Sequence, residues 1–165
     1  MRRSILLLLT LLTAAPLARG ADIQKPILDG HNAERRAVGV PPVAWDDALA
    51  SQAATWARHL AALGRLEHSA AADRPGEGEN LWMGTAGAYA PAQMAAGWTA
   101  EKADFANGVF PDVARDGHWR AVGHYTQMIW RGTTKIGCAT ASSPAWDVLV
   151  CRYAPAGNMV GEWVY

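Results

Sequence analysis

Two cysteines, Cys138 and Cys151, stand on either side of the turn signal Pro144-Ala145, which Ser142 and Ser143 precede. Folding the chain about that centre sets Cys138 opposite Cys151 and Ala141 opposite Val148. Directly opposed residues of an antiparallel pair come close enough for a disulfide. The enclosed loop is short, so such a bond contributes about 3 kcal/mol in the chain-entropy treatment. A pair of free or metal-binding thiols is the competing reading, and an oxidising compartment favours the disulfide. The expected fold therefore holds a hairpin with strands near residues 135–141 and 146–153.

The compartment is readable at the other end of the chain. Arg2 and Arg3 open a short apolar run from Ile5 to Leu12, and Ala18-Arg19-Gly20 places small residues where a signal peptidase reads them. Residues 1–20 are expected to be a signal peptide cleaved after Gly20, which leaves residues 21–165 as one domain in a secreted or periplasmic setting. The apolar run is too short for a bilayer span. Cleavage removes three arginines and no acid, so twelve basic residues face fifteen acidic ones. A net charge of −3 argues against a general nucleic-acid binder. No integral membrane span is expected in the mature chain, and it is expected to be a monomer.

Helical signals come first along the chain. Residues 27–38 read as a helix with Pro26 in its opening turn, stopped by Gly39 and Pro41-Pro42. Asp46 is a natural N-cap for a second helix. Its stripe Leu49, Ala53, Trp56, Leu60 and Leu63 is a buried face, and Gly64 ends it. Residues 69–78 read as a loop, and Glu79-Asn80-Leu81-Trp82 follows without a clear element. A third helix starts at Pro91 with Met94 and Trp98 on one face, which points Glu101 inward or to the edge of that face. Residues 106–119 read as a loop. Gly123 to Trp130 alternates as a strand would, with His124, Thr126, Met128 and Trp130 on one side. Helices first and strands mostly last argue for an α+β fold with an antiparallel sheet covered on both faces.

The stretch Gly123-His124-Tyr125-Thr126-Gln127-Met128-Ile129-Trp130-Arg131-Gly132-Thr133 closely resembles the first signature of the CAP superfamily, which unites cysteine-rich secretory proteins, antigen-five allergens and plant pathogenesis-related proteins. Val148-Leu149-Val150-Cys151-Arg152-Tyr153-Ala154-Pro155-Ala156-Gly157-Asn158 resembles its second. His31-Asn32 with Arg35, Trp45-Asp46, His68-Ser69 and Gly78-Glu79-Asn80-Leu81 match in family order. The resemblance implies a three-layer α-β-α sandwich with a central cleft. It also implies a tetrad in that cleft, carried over as His68, Glu79, Glu101 and His124, with Glu77 an alternative to Glu79 that lacks the following asparagine. No cysteine-rich module follows the second signature, so the ion-channel regulation tied to that module is not expected.

Two imidazoles and two carboxylates suit zinc or another divalent cation with open positions, and the bland alternative is a hydrogen-bond network. No cofactor is required by the sequence. A hydrolase would use a His–Glu pair as base with Ser69 or water as nucleophile, yet there is no Gly-x-Ser-x-Gly elbow. The preferred expectation is a binding module. The resemblance implies an apolar groove for a sterol, fatty acid or other small amphiphile, for which Phe105, Val109, Phe110 and Trp119 are the candidates; filling the core is their other use. A secreted protein recognising envelope or host components is the third expectation. Of the other histidines, His31 is expected to be a structural hydrogen-bonder, His118 peripheral and His59 on the surface.

Overall fold

The computed structural model describes residues 21–165, so the expected signal peptide lies outside the described residues. Four helices and four strands follow one another as α1 (Ala21–Ala37), β1 (Ala44–Trp45), α2 (Asp47–Leu63), β2 (Gly78–Thr85), α3 (Pro91–Ala100), α4 (Gly123–Ile129), β3 (Lys135–Ser142) and β4 (Trp146–Ala154). The sheet order is β1-β3-β4-β2. Helix α2 covers one face, while α1, α3 and α4 cover the other. This is the α+β sandwich expected of the chain. The sheet is not wholly antiparallel: β1 runs parallel to β3, pairing Ala44 with Lys135 and Trp45 with Ile136.

The hairpin forms in the register set by its turn. Cys138 lies opposite Cys151 and Ala141 opposite Val148. The Cys138–Cys151 disulfide is formed. Strand β4 is buried on both faces, and its period of two divides the core. Val148 and Val150 pack with Ala53, Ala57 and Leu60 of α2, whereas Leu149, Cys151 and Tyr153 pack under the other three helices.

Helix α2 forms where its signals put it. The Asp46 carboxylate accepts the amides of Ala48 and Leu49, and Gly64 closes the helix at φ 72° in the left-handed region. Leu49, Ala53 and Leu60 are buried, each large side chain contributing about 1.5–3 kcal/mol, but Trp56 is half-buried and Leu63 exposed at the stripe's edge. The first turn of α2 presses on β3 so closely that a Cβ at Gly137 would overlap the Ala50 nitrogen and the Asp46 carbonyl.

Three elements differ from the sequence expectation. Helix α1 starts before Pro26 and carries it internally, at the cost of one backbone hydrogen bond. The unassigned stretch at Glu79 is strand β2, an edge strand paired with β4. Gly123 to Ile129 is a helix, not a strand. Tyr125 to Ile129 are all buried in succession, so alternation of residue types does not separate two faces. Its polar members are satisfied inside the core: the Thr126 hydroxyl reaches Asn158, and Gln127 bonds the Thr133 hydroxyl and the Gly157 amide. Arg35, fully buried, donates to the carbonyls of Met128, Trp130 and Thr133 where α4 ends. Burial brings its guanidinium down to about 10.

Candidate functional site

His68 precedes the loop into β2, and Glu79 is the second residue of that strand. The Glu79 side chain has no exposed surface. Its Oε1 accepts from His68 Nδ1 at 2.7 Å and the Ser69 amide at 3.0 Å, while Oε2 accepts from the Ser69 hydroxyl at 2.9 Å. Arg152 stands directly opposite Glu79 across the β2–β4 pair. Its Nε lies 3.1 Å from Glu79 Oε2 but off the hydrogen-bond line, so the contact is an ion pair without a hydrogen bond. Burial alone would raise the Glu79 carboxyl; the His68 bond, the Arg152 charge and the Ser69 bonds outweigh it and hold the group below its ordinary value.

Glu101 and His124 form a second pair by different means. Glu101 follows the last residue of α3, in a short 3-10 turn. Its Oε1 accepts from His124 Nδ1 at 2.6 Å, and its Oε2 accepts the amides of His124 and Tyr125 at 3.0 Å each. Those amides open α4, which has no local side-chain cap, so Glu101 supplies the cap from another element. The His124 ring stacks on Trp98 at 6.0 Å between centroids. Behind it, Asn80 Nδ2 donates to the His124 carbonyl and to the Tyr153 hydroxyl, and that hydroxyl donates to His31 Nε2. His31 Nδ1 donates to the Ile27 carbonyl. Burial brings the His31 imidazole down to about 4, so it is a neutral structural link.

His68, Glu79, Asn80 and His124 share the wall of one cleft of about 390 Å³, with Trp119 and Arg120 at its side. A carboxylate accepts hydrogen bonds, so each Nδ1 carries a proton, and in the neutral form of the ring Nε2 is the lone-pair nitrogen. Among the described residues neither Nε2 has a hydrogen-bond partner. The acids thus sit behind the imidazoles as second partners rather than beside them as ligands. Consistent with that, no group of three or more His, Cys, Asp or Glu among the described residues is placed to hold a metal ion. The four-ligand expectation becomes two imidazoles, each backed by a carboxylate.

The remaining candidates separate. Glu77 does not reach His68; it faces Arg152 at 3.3 Å in a neighbouring groove of about 450 Å³ that also contains Trp56 and Asp73. The Ser69 hydroxyl is buried, bonded to Glu79 and to Arg152 Nη2, and presented to neither imidazole, so it is not placed as a nucleophile. Phe105 and Phe110 are spent in the core, edge-on to Tyr125 and Trp119 respectively, and Val109 is half-buried beside Trp163. Of the proposed lipid-groove residues, only Trp119 reaches the cleft. His118 is exposed outside it, and His59 is exposed against Trp56.

Asn80, Tyr153 and Arg152 are the residues of this region that the sequence did not single out for the site. The signal was present for Arg152: once residues 78–85 are read as a strand antiparallel to β4, it falls opposite Glu79. Arg120 carries no sequence signal beyond its neighbour Trp119.

The profile of the cysteine-rich secretory protein family, CAP, matches residues 28–153. The chain belongs to the CAP family. Among curated CAP-like relatives, a PR-1 type pathogenesis-related protein of Sambucus nigra is 36% identical over 140 residues, covering 84% of this chain and 79% of that one. Pathogenesis-related protein 1A of Nicotiana tabacum is 35% identical over 159 residues, covering 96% and 90%. Among solved structures, NaASP2 with Zn2+ superposes at a TM-score of 0.73 with 26% identity, covering 92% of this chain and 90% of that one. BmVAL-1 shares the fold at a TM-score of 0.72, covering 90% and 83%. No described helix of this CAP protein is long and apolar enough to cross a membrane.

Proposed function

We propose that this chain is an exported CAP-domain binding module whose cleft takes a divalent cation, zinc by donor preference, on His68 and His124. One observation carries the reading: two imidazoles line the same cleft with their Nδ1–H groups tied to carboxylates and their Nε2 lone pairs without partners. The carboxylates fix the tautomer and raise the basicity of the ring nitrogen that faces the ligand. Two protein ligands leave open positions, which suits exchangeable binding. A bound cation would offer those positions to an oxygen or nitrogen of a ligand. His68 and His124 hold and orient; Glu79 and Glu101 position them; Trp98 limits rotation of the His124 ring. The leader pattern and the disulfide support export.

The cation in the NaASP2 structure is in keeping with this reading, as a property of that relative. A sterol or fatty-acid groove built on Phe105 and Phe110 is no part of it, because both rings are core. Isothermal calorimetry with zinc is the test. The wild-type protein is expected to bind one zinc, and His68→Ala or His124→Ala to weaken it at least about tenfold, since each removes one of two ligands. Equal affinity in all three proteins would overturn the reading.

A further inference from the structure

We infer that the ligand of this cleft is an anion, a carboxylate or phosphate group gripped by Arg120. The inference rests on the proposed cation site for part of the attraction, but the Arg120 argument stands apart from it. Glu79 is the single carboxylate in the cleft wall, and its side chain has no exposed surface. Glu101 reaches His124 from behind the wall. The ligand-facing side therefore presents no free carboxylate to repel a negative group.

It does present an unpaired positive one. The Arg120 guanidinium is exposed at the cleft and lies 4.9 Å from the centre of the Trp119 ring. Among the described residues it forms no hydrogen bond and no ion pair. Stacking uses the face of a guanidinium and leaves its in-plane N–H donors available, the fork that matches a carboxylate or phosphate two bonds at a time. The Arg120 guanidinium lies over the Trp119 ring at the side of the cleft, and that contact does not neutralise its charge. A divalent cation on His68 and His124 adds positive charge to the same small volume. An anionic head would be attracted by both charges, whereas a cationic or purely apolar ligand would be attracted by neither.

Acetate and methylphosphonate, titrated separately into the full chain with and without equimolar zinc, distinguish the two anion classes. Binding of at least one is expected in the zinc-loaded wild type. Arg120→Gln should weaken it about tenfold or more, and Arg120→Lys less, because it keeps charge but loses the fork. Arg36→Gln, the same charge change outside the cleft, should have no effect. Zinc affinity itself should stay within about twofold in Arg120→Gln. Failure of both anions to bind zinc-loaded protein, or equal binding by Arg120→Gln, overturns the inference and leaves the cation site standing. If zinc does not bind, the cation reading falls instead, and the zinc-free titration decides: Arg120-dependent binding sustains the anion grip, and its absence overturns it.

Discussion

The two acid–histidine pairs of the cleft perform the same local chemistry on opposite foundations. Glu79 sits in the floor of the sheet, fully covered, with Arg152 and Ser69 behind it, yet its histidine is the freer of the two at 56% exposed. Glu101 sits at a helix end, 18% exposed, and its histidine is the more confined at 34%, held by Trp98 and by the Asn80–Tyr153–His31 chain. In the first pair the acid is fixed and the imidazole stands out from the wall. In the second the imidazole is fixed by its backbone, and the acid also serves as the cap of α4. The contrast separates two jobs: the Glu79 side bears the burial cost of charge, and the Glu101 side joins two helices.

The sharpest way to break this asymmetry is Glu79→Ala. It leaves the buried Arg152 with Glu77 as its one remaining carboxylate and removes the acceptor of His68 and Ser69, so the cost should lie at the lower end of that for breaking a buried ion pair, about 3 kcal/mol. Urea unfolding should register most of that as a lower midpoint. The pH dependence has a definite sign. Because the folded carboxyl of Glu79 is held below its ordinary value of 4.5, its contribution is present above that pH and lost as pH falls through the folded value. The acid limb of the stability curve should flatten in Glu79→Ala.

The His31 link on the other side predicts a separate window. Its folded value of about 4 lies below the ordinary 6.5, so the unfolded chain binds the proton more readily between those values. Stability should fall by about 3 kcal/mol as pH drops from 6.5 to 4 and level off for this group below that. His31→Gln should lose that slope. Glu101→Ala removes a cap rather than a buried ion, so its cost should be smaller, about 1–2 kcal/mol by thermal unfolding. Local exchange of the His124 and Tyr125 amides should quicken most. Ser69→Ala, which deletes one of several bonds to Glu79, should cost about 1 kcal/mol.

What could be read from the sequence follows how local each signal was. The Cys138–Cys151 hairpin and helix α2 were legible because turn residues, caps and periodicity all act within a few residues of one another. Helix α4 was not. Five of its seven residues, Tyr125 to Ile129, are buried in succession, and His-Tyr-Thr-Gln-Met-Ile-Trp alternates by accident; the Glu101 carboxylate that caps it comes from the turn after α3. The resemblance named His68, Glu79, Glu101 and His124 as a set, but not that the acids face Nδ1. Arg152 carries no local signal because it matters only across the β2–β4 pairing, and residues 79–82 show no clear strand pattern of their own. Phe105 and Phe110 looked available for a groove because a loop sequence does not tell which of its rings are folded inward.

The central claim is that both cleft imidazoles are Nδ1–H tautomers with Nε2 free for a ligand. Long-range proton–nitrogen NMR of the ring nitrogens, recorded near neutral pH before and after zinc is added, reads this directly. The expected spectra show proton-bearing Nδ1 and pyridine-like Nε2 in both His68 and His124, with zinc shifting both Nε2 signals together and His31 unmoved. An Nε2–H tautomer at either residue, or a zinc-induced shift at neither, would contradict it.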